Sequence, residues 1–189
     1  MNKIHHIFDQ IIFKGTIYIP RSYVSIAAYY IVPIVLATMY ILARSGFVDD
    51  DIMEVLGNTA LILVIIILFV KPLVVLFKPI GLLRTILGFR RQLGVAALYF
   101  ALFHFLFYTI SFDVPVWEIF WKSLTNGGAL QYGAFSLLII LILGMTSNKI
   151  ATRTLKRNWK RLHRLSYLLL PLILLHIAFV SGEGEEALN

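Results

Sequence analysis

Two histidines thirteen residues apart, His163 and His176, bracket the last hydrophobic stretch of this chain, and a third, His104, lies inside another, Leu93 to Ile110. Imidazole nitrogens need partners that hydrocarbon does not offer, so histidine is rare in apolar spans and points to function where it occurs. Imidazole suits iron, and a membrane bundle that holds iron by histidine usually holds heme. Heme binding is therefore the first expectation. With no cysteine in the chain, iron–sulfur ligation by cysteine and covalent heme attachment are excluded, so the heme would be non-covalent, of b type.

Depth sorts the three histidines. His104 follows Arg91 by thirteen residues and His176 follows Arg164 by twelve. At the helical rise both stand roughly 18–20 Å above a basic boundary, where two imidazoles on parallel helices can clamp one iron from opposite faces. His163 lies about 20 Å below His176, a depth suited to a second redox centre. On a straight helix, however, thirteen residues turn His163 roughly 140° away from His176. Pro171 falls between them and can correct the phase by kinking the helix. At the level of His163 the third span carries Arg90 and Arg91, which are not ordinary iron ligands. They suit heme propionates or an anionic flavin or quinone group. His163 is thus equally a ligand or an interfacial residue. A lone membrane histidine often only hydrogen-bonds across its bundle, and it is the matched depth that favours ligation for His104 and His176. Phe100, Phe103, Phe107, Tyr108 and Tyr167 fit either a porphyrin or ordinary core packing.

The elements that must position these side chains are membrane helices. Hydrophobic residues make up 59% of the chain and charged ones 14%, with the charges gathered between long apolar runs. Five spans are expected, at about Tyr23–Ala43, Gly57–Phe77, Gln92–Ile110, Leu130–Ser147 and Leu165–Val180. All are near the roughly 20 residues that cross a bilayer, although the last is short. The expected fold class is an all-α integral membrane bundle of about five transmembrane helices, preceded by an amphipathic lead over residues 1–22. In that lead Ile4, Ile7, Phe8, Ile11 and Ile12 recur at helical spacing, as in a helix lying on the membrane surface, with His5 and His6 solvated. No cleavable signal is expected. Residues 23–180 form the membrane domain and 181–189 an acidic outer tail. Five spans leave no room for a soluble cofactor domain.

With the N-terminus inside, 15 of the 17 basic residues fall on inner segments, leaving only Arg44 and Lys122 outside. The positive-inside rule then gives an N-in, C-out, multi-pass membrane protein. The pI of about 9.7 follows from this topology and from contact with anionic lipid, with no nucleic-acid partner implied. Pro33 is expected to kink the first span and Lys71-Pro72 to close the second, while Trp117 and Trp121 read as interfacial anchors.

Several of these residues also carry a resemblance. Leu87-Gly-Phe-Arg90-Arg91-Gln-Leu93-Gly94 with Leu102-Phe-His104 resembles the third-span signature of the ferric-reductase-like membrane domains. Leu143-Gly-Met-Thr146-Ser147, then Trp159-x-x-Leu162-His163-x-x-x-Tyr167, Pro171 and His176, resemble the following segments. The similarity is strongest to the branch made of heme-binding membrane subunits of bacterial periplasmic methionine-sulfoxide reductases. It implies a b-type heme protein that relays electrons from a cytoplasmic flavin reductase, or quinol, to a periplasmic molybdoenzyme that repairs oxidised methionine. Such a chain is the electron-transfer subunit of an oxidoreductase system and not a complete enzyme. By the same resemblance His104 and His176 match an outer ligand pair and His163 half of an inner one. Arg90 stands at the fourth ligand position, and Trp159 and Tyr167 belong to the cofactor-binding segment. The family usually has a sixth span, and here Ser181-Gly-Glu-Gly-Glu-Glu follows soon after the fifth. Two other readings remain open: a stand-alone ferric or other metal reductase, and a heme-free scaffold or transporter. Against the last, no span carries Asp, Glu or Lys at mid-depth to mark an ion path.

Overall fold

The computed structural model describes residues 20–46, 51–77, 80–111, 115–125 and 127–186. The amphipathic lead expected over 1–22, with His5 and His6, lies outside these residues except for its last three, of which Arg21 and Ser22 already enter the first helix. Five long apolar helices are present, as the sequence leads one to expect: α1 (Arg21–Arg44), α2 (Ile52–Leu76), α4 (Arg90–Ser111), α6 (Gly128–Met145) and α9 (Ser166–Glu186). Between them run the short helices α3 (Gly81–Gly88), α5 (Val116–Thr125), α7 (Lys149–Leu155) and α8 (Arg157–Leu162).

Apolar side chains cover the outside of this bundle. Ile34, Ile62 and Leu174 are each more than half exposed. Such a surface is unsuited to water and matches hydrocarbon, where every backbone group must be bonded within its own helix. Buried hydroxyls follow the same rule. Ser123 Oγ donates to the Ile119 carbonyl at 2.7 Å, Ser136 Oγ to Tyr132 at 2.9 Å and Thr109 Oγ1 to Leu106 at 2.7 Å.

Prolines shape three of the long helices. Ahead of Pro33, α1 widens into a π turn over Ala27–Ile31, in which the Val32 N–H reaches the carbonyl of Ala27, five residues back. Proline has no N–H to give and crowds the carbonyl four residues earlier, and the wider turn makes room for it. Pro72 does not close α2, contrary to expectation, because the helix continues to Leu76 with Pro72 inside it. One missing hydrogen bond is a smaller loss in an apolar surround than a frayed helix end would be. Pro171 likewise lies within α9.

Two packed regions place the site. Val64, Ala97, Leu137, Ile140, Leu143 and Leu169 form a core shared by α2, α4, α6 and α9. Ala97 is fully buried there, and Leu98 lies so close to Gly144 that a Cβ on the glycine would collide with it. Small residues let membrane helices approach closely and gain van der Waals contact, since lipid gives apolar surfaces no hydrophobic drive to associate. A second core joins α1, α2 and α4 through Leu36, Leu56, Phe103 and Phe107. Here Tyr40 meets Phe103 and Phe107 edge-on, at 6.3 and 5.8 Å between ring centroids. The most extensive helix pairings are α2 with α4 and α6 with α9. Each pair brings one histidine-bearing helix against a partner.

Candidate functional site

His104 on α4 and His176 on α9 meet inside the bundle, their ring centroids 6.4 Å apart and their planes at 80°. Each ring is tied back to a different helix by the same nitrogen. His104 Nδ1 lies 2.8 Å from the Met53 carbonyl of α2, and His176 Nδ1 lies 2.8 Å from the Ala129 carbonyl of α6. A carbonyl can only accept, so Nδ1 carries the proton in both rings. In a neutral imidazole the lone pair is then on Nε2, the form in which histidine binds metal while its other nitrogen holds a carbonyl.

The spacing suits one kind of metal. An iron held by two imidazole nitrogens at about 2 Å each puts the two ring centroids about 6 Å apart. Two nitrogens alone are too few for a bare ion, and among the described residues there is no group of three or more His, Cys, Asp or Glu that could hold one. Heme iron needs only two axial ligands from the protein, since the macrocycle fills its remaining positions. The His104–His176 pair fits that requirement.

His163 is bonded the other way round. It stacks on Trp159 with ring centroids 4.0 Å apart, and its Nε2 lies 3.3 Å from Thr146 Oγ1. The Thr146 hydroxyl gives its proton to the Ile142 carbonyl at 2.7 Å, so it accepts from His163, whose proton sits on Nε2. Trp159 Nε1 also donates to the Thr146 carbonyl at 2.9 Å, closing a small network between α8 and the end of α6. The backbone tightens into a 3-10 turn at His163–Leu165. Three residues at 120° in place of 100° narrow the offset between His163 and His176 from about 140° to about 80°. Part of the phase correction expected of Pro171 is therefore made by this turn.

At the same end of the bundle is a cavity of about 730 Å³. Arg90, Arg91, Trp159, His163 and Tyr167 all line it, so the remaining sequence-derived site residues come together there, apart from the His104–His176 pair. Arg90 is half-buried, whereas Arg91 and Tyr167 are exposed. Sequence reasoning missed further members of this wall: Arg21, Lys71, Lys160, Arg164 and Gln92. The Gln92 side chain donates to Ser25 Oγ at 3.2 Å, while its buried Oε1 has no partner. Six cationic side chains around one apolar-floored cavity favour an anionic group. Phe103 and Phe107, candidates for packing a porphyrin, are engaged with Tyr40.

The transmembrane component of ferric reductase-like proteins matches residues 56–174. The chain belongs to the ferric reductase-like transmembrane family. The matched segment includes His104 and His163 and stops two residues before His176. Among curated relatives, the protein-methionine-sulfoxide reductase heme-binding subunit MsrQ of Cronobacter sakazakii is 34% identical over 127 residues, covering 67% of this chain and 62% of that protein. MsrQ of Agrobacterium fabrum is 31% identical over 126 residues, 67% of this chain and 56% of that protein. The chain thus spans about three-fifths of the length of these relatives. No solved structure matches it. Membership of the ferric reductase-like family agrees with the resemblance read from the Arg90–His104 and Trp159–His176 segments.

Proposed function

We propose that this chain is a b-type heme subunit that relays electrons across a bacterial inner membrane to an oxidoreductase on the outer face. The observation that carries the reading is the His104–His176 pair: two imidazoles 6.4 Å apart, each with Nδ1 on a carbonyl and the lone pair on Nε2. Support comes from two relatives named as heme-binding subunits.

The heme, when bound, supplies a one-electron iron couple set away from water. The chain's own residues do the rest. His104 and His176 would hold the iron through Nε2, and the Met53 and Ala129 carbonyls fix their tautomer and raise their basicity. The apolar bundle around them keeps a low dielectric. At the basic end, Arg90 and Arg91 hold anionic groups, with Trp159, His163 and Tyr167 as the remaining cavity wall. On the basic-residue count this end faces the cytoplasm, where the donor, a flavin reductase or quinol, delivers electrons.

For the acceptor, the names of the relatives favour a methionine-sulfoxide reductase; that it is a molybdoenzyme on the outer face is part of the proposal. Stopped-flow reoxidation of the purified, dithionite-reduced protein tests this. Rapid reoxidation by a periplasmic methionine-sulfoxide reductase with methionine sulfoxide, and slow reoxidation by ferric citrate, is the expected result. The reverse order would replace the proposal with a stand-alone ferric reductase.

A further inference from the structure

The carbonyls that hold His104 and His176 share a feature that neither histidine explains. Met53 lies four residues before Gly57, and Ala129 four residues before Gly133. In both cases the ring lies against the glycine. A Cβ on Gly57 would stand 2.9 Å from His104 Nδ1 and 3.0 Å from Cε1. A Cβ on Gly133 would stand 3.0 Å from both His176 Nδ1 and Cε1. The register is also the same: carbonyl at the second residue and glycine at the sixth, counted from Ile52 in α2 and from Gly128 in α6. Two helices in different pairs, α2 against α4 and α6 against α9, thus present one and the same cradle.

An α-helical carbonyl already accepts from the N–H four residues on, which in these two cases is the glycine's own. Its second lone pair is open only from the side, and a side chain at the glycine position would cover that approach. Without a Cβ, the imidazole can lie on the helix and donate from Nδ1 while the helical bond stays intact. Alanine is the better helix former at any interior position, so glycine here serves something other than helicity.

We propose that Gly57 and Gly133 are a matched pair of positioning residues, each opening a backbone carbonyl to one imidazole and so holding Nε2 of His104 and His176 for a single heme iron. This rests on the heme reading above. It extends that reading from the ligands to the two places on neighbouring helices that orient them. It also accounts for both rings adopting one tautomer while His163, bonded to a side-chain hydroxyl, adopts the other.

The test uses full-length protein carrying Gly57→Ala or Gly133→Ala, titrated with hemin in detergent and examined by electron paramagnetic resonance and redox potentiometry. Losing an outer-shell partner typically weakens metal affinity about 10- to 100-fold. A drop of that size, or retained heme with shifted g values and midpoint potential, is the expected result in each variant. Wild-type affinity, g values and potential in both would overturn the assignment. If the wild type itself takes up no hemin, the heme reading fails, and imidazole 15N shifts of the heme-free protein decide the cradle separately. Nδ1-protonated rings at His104 and His176 that lose this preference in the alanine variants support it, and Nε2-protonated rings in the wild type refute it. The wild-type shifts also decide the matter if the variants do not fold.

Discussion

His163 lies nearly parallel to Trp159, with ring centroids 4.0 Å apart and 28° between the planes, while its Nε2 is bonded to Thr146. The nitrogen that His104 and His176 keep free is the one His163 has already committed. This separates the three histidines into a pair bonded through Nδ1 and one anchored through Nε2 between α6 and α8.

Two substitutions test that separation. Thr146→Val removes the acceptor for His163 Nε2–H and is expected to cost about 1 kcal/mol. Thermal unfolding in detergent should show a lower midpoint, with Thr146→Ser restoring it. His163→Ala should leave the heme content of the purified protein unchanged. A wild-type protein with two hemes, one of them lost in His163→Ala, would make His163 a ligand.

The tip of the Leu98 side chain lies against Gly144 where α4 meets α6. Gly144→Ala is expected to destabilise the bundle by about 1–3 kcal/mol, the usual cost of overpacking. Adding Leu98→Ala should recover part of this, so that the double variant is more stable than the sum of the two losses. Additive unfolding midpoints would show that the helices are not limited at this point.

Topology is open to a clean chemical test because the chain has no cysteine. A single cysteine at Lys122 should react with an impermeant maleimide on intact cells. One at Arg153 should react only after permeabilisation. The opposite pattern would turn the basic end outward and with it the direction proposed for electron flow.

Much of this arrangement was legible in the sequence, for identifiable reasons. Long apolar runs bounded by charges gave the five helices with ends within about two residues, except that α2 begins five residues earlier and α9 runs six residues further than expected. Counting rise from Arg91 and Arg164 put His104 and His176 at one depth, and they do meet. Less accessible were features decided by a neighbouring helix. The 3-10 turn at His163–Leu165 leaves no periodic mark, and Pro33 announced a distortion of α1 without saying that it would be a π turn. Lys71-Pro72 was expected to close the second span at its inner side, whereas α2 carries Pro72 through to Leu76. Gly57 and Gly133 look like ordinary small residues until the rings lying on them are seen. Their one sequence-level signal is that each lies six residues into an otherwise strong helix.

The most direct test of the central claim is a reduced-minus-oxidised absorbance spectrum with heme quantified per polypeptide, on the wild type and on His104→Ala and His176→Ala. A low-spin b-type spectrum near one heme per chain, lost in both variants, is the expected result. Normal heme content in both variants, or a wild-type protein that binds none when heme is supplied in full, would contradict it.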